Sequence, residues 1–392
     1  MKNRIQNSEA GSRKSIIRAL IIAAWTALLF LPFKGLTAAA IMFVAVFIGL
    51  IAVHLVQKIS LKSLNLQNYP AFLSSVLLRF RASGWCTTYC WLPLLLVVFL
   101  ILPAVLKDYY LDVLIMAGIY ILLAVGLNVI VGFAGLLTLG FAAFYAIGAY
   151  TYAILNTKLG LGFWPSLPLA ASFAAMTGLL LAIPALRLRG DYLAIVTLGF
   201  GEIVRLVLNN WDSFTNGPNG ITGIAPPFLF GISLGGLKAY YYLTFLIVIA
   251  AVIIVRRVEA SRIGRAWIAI KENEIAASTM GIDTTKYKLY AFAFGTFWAG
   301  AAGTLFAAKM RFISPESFTF MESVLILSMA IIGGLGNTYG AVFGAFLLVL
   351  LPEVLREVQQ YRMLLLGIGL VLLMIFRPQG LLGGTKHVRI GN

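Results

Sequence analysis

Few residues in this 392-residue chain could do chemistry, and most of those fail on spacing. His54 and His387 are the only histidines, which argues against histidine-based metal or acid–base work. Cys86 and Cys90, in CTTYC, have neither CxxC spacing nor a histidine beside them. They read as ordinary thiols in a loop rather than as a metal or redox pair. No GxxxxGK followed by Ser or Thr occurs, and GGTKH near the C-terminal end has neither the spacing nor the hydroxyl. The chain thus has no phosphate-binding loop of its own. What remains is charge inside apolar sequence. Glu202 and Arg205, in LGFGEIVRLVLNN, are close enough for helical contact. Glu202 follows Tyr192 by ten residues, roughly 15 Å along a straight helix. A carboxylate at that depth in a bilayer is costly and would serve transport or ion coupling. The alternative is a mutually paired structural couple beside Gly199 and Gly201. Glu322 begins a later apolar run and reads as an interfacial anchor rather than a pore ligand.

The elements that must position these residues follow from composition. The chain is 61% hydrophobic and 11% charged, with a mean hydropathy of +0.95. A soluble domain runs near a quarter charged, so an all-α polytopic integral membrane protein is expected. Basic residues outnumber acidic ones by 16, but they sit in short clusters between apolar runs. That pattern reports orientation in a membrane, not nucleic-acid binding. With about 20 apolar residues needed per span, the candidates are 19–34, 37–56, 92–106, 113–131, 136–155, 169–186, 192–209, 240–255, 289–308, 322–336, 338–354 and 362–376. Several are short, so about 10–12 spans are expected, some of them broken or re-entrant.

Placing the N-terminus in the cytosol puts Lys58, Lys62, Arg79 and Arg81 inside, then Arg187 and Arg189, then the loop 256–288, then Arg377, Lys386 and Arg389. The outer loops are poor in charge: 156–167 has only Lys158 and 211–227 only Asp212, while Lys107, Lys309 and Arg311 are exceptions. The run Ala19–Phe33 after a basic start could be a signal peptide with LTAAA as its cleavage site. Another apolar run and a basic loop follow at once, so an uncleaved hairpin of two spans is the preferred reading. Residues 1–112 then form an N-terminal hairpin, a basic cytosolic loop and an additional span. The core is 113–383, and 384–392 is a cytosolic tail. Two stretches, 132–150 and 333–350, each place a glycine-rich break between apolar runs. Paired breaks of this kind are what an internal repeat with discontinuous helices looks like.

The loop Arg256–Lys288 is the one long charged interruption in the back half, with seven Lys/Arg and four Asp/Glu. Ile263, Ala266, Trp267 and Ile270 share a helical face, with Arg262 and Arg265 turned from its centre. Continuing that helix would put Glu274 in the apolar arc, so a break is expected near Asn273. Asn273 is a good N-cap, Glu274 suits a first turn and Gly281 a helix stop. Two short helices meeting at Lys271–Glu272–Asn273–Glu274 make a rigid amphipathic knob. It could insert into a groove on another protein or lie on the lipid surface.

These residues carry a resemblance. AIKENEIAASTMGID (269–283) is similar to the EAA-type loop of ABC importer permeases, the element that docks on the ATPase, through Ala276, Ala277 and Gly281. The acid is Glu274, one place earlier than in the general motif. With LNVIVGFAGLLTLGFAAFYAIGAY, RLRGDYLAIVTLGFGEIVR, NGPNGITGI, SRIGRAWIAIKENEIAA, FISPESF, IIGGLGNTYGAVFGA and FRPQGLLG, residues 113–383 resemble the LivM-type permeases of branched-chain amino-acid ABC importers. The first 112 residues carry little of it. The resemblance implies a bacterial inner-membrane permease, not an enzyme, with both termini cytosolic. It implies pairing with a LivH-type permease, two ATPase subunits that use the ATP, and an external substrate-binding protein. Arg262, Gly264, Arg265, Glu272, Asn273, Glu274, Ala276, Ala277 and Gly281 would couple to the ATPase. Asn128, Gly132, Gly135, Thr138, Glu202, Gly336 and Asn337 would line the path. Asn128 and Thr138 could offer polar groups to a passing zwitterion, though interhelical hydrogen bonds explain them equally. Gly336, Gly340 and Gly344, four apart, suit a close helix-packing face and a permease–permease contact. The turn-rich 209–227 could meet the binding protein or be simply a long loop. Permeases for urea or short amides share much of the pattern. An ion-coupled secondary transporter using Glu202 is the rival from another class.

Overall fold

The computed structural model describes residues 106–186, 191–229 and 232–354, with isolated positions at 103 and between 367 and 382. The N-terminal hairpin, the loop 57–91 with both cysteines, almost all of 92–106, Arg187, Arg189, most of 362–376 and the tail 384–392 lie outside the described residues. From Lys107 onward the chain forms one compact unit.

Every apolar run between 113 and 354 becomes a helix. The helices are α1 Asp108–Leu127, α2 Phe141–Leu159, α3 Phe163–Ala185, α4 Asp191–Asn210, α5 Asp212–Thr215, α6 Leu237–Ala260, α7 Arg262–Glu272, α8 Glu274–Thr279, α9 Thr284–Met310, α10 Phe320–Gly333 and α11 Thr338–Val354, of which α5, α7 and α8 are short polar ones. Among the described residues, five helices are long and apolar enough to cross a membrane: α1 with its extension to Phe133, α3, α4, α6 and α9. The helices α10 and α11 are shorter apolar ones.

Burial sorts these helices into centre and rim. The most apolar stretch of α1 is 83% buried and that of α9 78%, whereas α4 is only 22% buried. A helix that is apolar all round must be enclosed by protein or by lipid. Here α1 and α9 are enclosed by protein, and α9 packs on α1, α2 and α3. Small residues make the packing close: a Cβ on Gly148 of α2 would overlap the Gly300 backbone of α9. Such contacts replace the hydrophobic drive that lipid cannot supply between helices.

Two features depart from a plain bundle. First, α1 does not end at Leu127 but widens into a π-helical turn, Asn128–Phe133, and every residue from Ile121 to Ala134 is buried. Residues 134–140 are irregular, so α2 begins at Phe141, five residues later than its apolar run starts at 136. Second, the segments between helices at the end away from α7 and α8 are tied across the sequence. β1 (Ile221–Thr222) pairs antiparallel with β4 (Phe312–Ile313), which joins the NGPNGITGI and FISPESF stretches. β2 (Phe228–Leu229) pairs with β3 (Ile232–Ser233). Asn156 Oδ1 accepts from Ala225 N at 2.8 Å, and Tyr152 donates to Ala225 O at 2.8 Å. The stretch 209–227 is therefore ordered against α2. Lys309 pairs with Asp112 at this same end.

Candidate functional site

The knob is built from local signals. Ser261 caps α7 by accepting from Ile263 N at 3.2 Å. Asn273 breaks the helix in an extended conformation (φ −157°), and its Oδ1 accepts from Ala276 N at 3.0 Å to start α8. Gly281 follows at φ +82°, a left-handed position that favours glycine. The arc Ala266, Trp267 and Ile270 is buried and Ile263 half-buried. Trp267, only 1% exposed, donates to Tyr287 O at 2.7 Å and packs near Phe294 of α9. The amphipathic face is thus used inside the protein, against the start of α9, and is not free for lipid or a partner. What faces outward is a mixed surface: Arg262, Arg265, Glu272, Asn273 and Ala276, with Ile275 at 68% and Met280 at 83% exposed. Glu274 Oε1 meets Lys288 Nζ at 2.6 Å, so its carboxylate secures α8 to α9. Ala277 is buried beneath the knob, and Gly264 lets α7 turn tightly off α6, where a Cβ would overlap Glu259 O.

Beneath the knob lies a joint of three segments. Lys271, in the last turn of α7, donates from Nζ to Gly132 O in the π-helical turn at 2.7 Å. Gly336 N, in the turn between α10 and α11, donates to Asn128 Oδ1 at 2.9 Å. Gly132 admits no side chain, since a Cβ would overlap Asn128 Oδ1 and come within 2.6 Å of Gly336 N. Gly135 (φ +71°) lies under the Lys271 stem, its Cβ position 3.0 Å from Lys271 Cγ. Burial lowers the Lys271 pKa from the ordinary lysine value, with the Glu272 carboxylate acting the other way. Asn337 accepts from Tyr339 N to open α11 and donates to Leu382 O. Gly380 and Leu382, from the FRPQGLLG stretch, close on the same turn, with Leu381 N donating to Ile332 O at 2.8 Å. Four of the seven residues expected along a path, Asn128, Gly132, Gly135 and Gly336, therefore meet one another or Lys271 at the knob, and Asn337 adjoins them. The sequence places Lys271 at the junction of the two short helices but gives no sign of its contact, because its partner lies 139 positions upstream.

Thr138 and Glu202 lie elsewhere. Thr138 is buried with its hydroxyl unpartnered. The irregular segment 134–140 reaches into the bundle, where Leu139 N donates to Thr197 Oγ1 at 3.0 Å and Ala142 N to Ser323 Oγ at 2.9 Å. A Cβ on Gly140 would overlap Thr197 O. Non-helical backbone inside a membrane bundle is tolerated only where protein or water satisfies it. Beside it is a small, half-open pocket lined by Leu139, Gly140, Gly201, Glu202, Thr319 and Ser323 among others. Glu202 Oε2 accepts from Arg205 Nε at 2.9 Å, and Arg205 Nη1 lies 4.0 Å from Glu316. Glu202 is thus one half of a paired couple at the edge of that pocket. Glu322, expected as an interfacial anchor, turns its carboxyl inward toward Tyr120 and buries Oε1, with α10 packed on α1.

A bundle of apolar helices, an irregular segment inside it and a rigid polar knob at one end define a multi-pass membrane permease. The chain belongs to the permease-component family of branched-chain amino acid transport systems, which its residues 109–375 match. It is 46% identical over 315 residues to the high-affinity branched-chain amino acid transport permease LivM of Salmonella typhimurium, covering 74% of each chain. It is 47% identical over 298 residues to LivM of Escherichia coli K12, covering 70% of each. To LivH of Salmonella typhimurium it is 27% identical, covering 69% of this chain and 93% of that one. No solved structure matches it. The chain is a transport subunit and not an enzyme.

Proposed function

We propose that this chain forms half of the translocation path of an ATP-driven importer in the bacterial inner membrane, with both termini cytosolic. The substrates are branched-chain amino acids (Leu, Ile, Val) handed over by an external binding protein. A LivH-type permease completes the path, and two ATPase subunits bind the ATP for which this chain has no loop. The observation that carries the reading is the knob. Its apolar arc Ala266, Trp267 and Ile270 is buried against the core, so it moves with the core, while its outer face offers Ile275, Met280, Arg262 and Arg265. ATPase closure would push on that surface and tilt α9, the helix at the centre of the packing. Affinity in the path need not be high, because capture belongs to the binding protein. The names of the LivM and LivH relatives support the substrate class.

The test is Ile275→Asp with Met280→Asp in the complete system, since neither side chain supports the fold from the inside. ATPase co-purification and leucine uptake should both fall by about tenfold or more, the loss expected when apolar anchors at an interface are made charged. Normal values for both would refute the docking role. Concentrative uptake by the purified chain alone would refute ATP drive.

A further inference from the structure

We infer that Lys271 is the positioning residue that passes movement of the knob into the irregular segment 134–140, a role resting on the proposed docking of the knob. The end of a helix leaves its last carbonyls without intrahelical partners. Here Ala134 N takes Val129 O and Leu136 N takes Ile130 O, and the Gly132 carbonyl goes to the Lys271 ammonium. A cation at that end also meets the negative pole of the α1 macrodipole. The Lys271 stem rests on Gly135, which has no side chain to hold it off. Its Nζ lies 3.6 Å from the Cβ position of Gly336, whose N–H holds Asn128. One side chain of the knob therefore touches the end of α1 and the first residues of the irregular segment, and its ammonium lies beside the α10–α11 turn. From there the segment runs to Leu139 and Ala142, which are fixed on Thr197 of α4 and Ser323 of α10 beside the pocket that holds Glu202. A shift of α7 along this route moves the pocket wall through hydrogen bonds already in place.

Among the described residues, Lys271 makes the side-chain hydrogen bond that joins the knob to the π-helical turn. Trp267 and Glu274 bind α9 and its start, so they anchor the knob without touching the segment. Lys271 is exposed along the knob, yet its ammonium is held on a backbone carbonyl 139 positions upstream.

The experiment uses the complete importer in proteoliposomes with leucine-loaded binding protein. It compares wild type, Lys271→Met, Lys271→Arg and Asn128→Ala for leucine moved per ATP hydrolysed. Lys271→Met should co-purify with the ATPase and hydrolyse ATP as wild type does, yet move about tenfold less leucine per ATP, the scale of one charge-assisted link in a coupled equilibrium. Lys271→Arg should recover most of that ratio, because it keeps a cationic donor. Asn128→Ala should lower the ratio in the same direction, and the double variant Lys271→Met with Asn128→Ala should be no worse than the more affected single one. An unchanged ratio in Lys271→Met overturns the inference. So does loss of ATPase co-purification in Lys271→Met, which would assign Lys271 to docking. If the wild-type chain itself fails to hold the ATPase, the functional reading falls instead.

Discussion

Replacing Glu274 with alanine should destabilise the protein by about 2 kcal/mol, and replacing Lys288 with methionine beforehand should remove most of that cost. The Lys288 side chain is 10% exposed and its ammonium sits 2.6 Å from the Glu274 carboxylate, which is 39% exposed. Stripping one partner from a fully buried pair costs about 3–5 kcal/mol, because the other charge stays desolvated and alone. The partial exposure of Glu274 admits water and ions, which trims the figure toward about 2 kcal/mol. Lys288→Met leaves the carboxylate free to hydrate and puts an apolar chain of similar length in the buried slot. That change should be worth roughly 0–1 kcal/mol. A residual few tenths of a kcal/mol from a carboxylate in the first turn of α8 should survive in both backgrounds. The thermal midpoints of the four purified proteins in one mild detergent give the ranking. Wild type and Lys288→Met should lie close together, the double variant near Lys288→Met, and Glu274→Ala clearly lowest. Equal losses from Glu274→Ala in both backgrounds would refute the reasoning, since Glu274 would then stabilise the fold independently of Lys288.

Two further outcomes are expected. Gly148→Leu should prevent accumulation of folded protein, because its branched side chain would have to occupy backbone of α9 at Gly300, whereas Gly199→Ala, with nothing within 4 Å, should accumulate normally; quantitative blotting of membrane fractions checks both. Glu202→Gln should leave leucine uptake within about threefold of wild type and independent of the proton gradient, since its oxygen serves a part-exposed pair worth about 0–1 kcal/mol; uptake in vesicles with and without an uncoupler decides, and complete loss would restore the ion-coupling role.

How far the sequence reaches can be judged from particular residues. The knob was legible to the residue, because caps and stops are local: Asn273 and Gly281 act on neighbours within three or four positions. The eight apolar runs between 113 and 354 were legible because hydropathy needs no partner to be read. Tertiary pairing was not. The π-helical turn at 128–133 looks like ordinary apolar helix in sequence, so the start of α2 was placed at 136 instead of 141. The inward turn of Glu322 depends on Tyr120, and the role of Lys271 on Gly132, each far away in the chain. Two-residue strands such as β1 and β4 are below the length at which alternation can be seen. The apolar arc of α7 was read correctly as a face, but periodicity cannot say what covers a face.

The bond from Gly336 to Asn128 joins positions 208 residues apart, and it has a consequence for how the protein is made. A ribosome delivers α1 to the bilayer long before residue 336 exists. During that interval the Asn128 amide must find water or the walls of the insertion machinery, so the lower end of α1 cannot settle early. Nascent chains halted short of residue 336 should therefore stay within reach of the translocon, while chains halted well beyond it are free to leave.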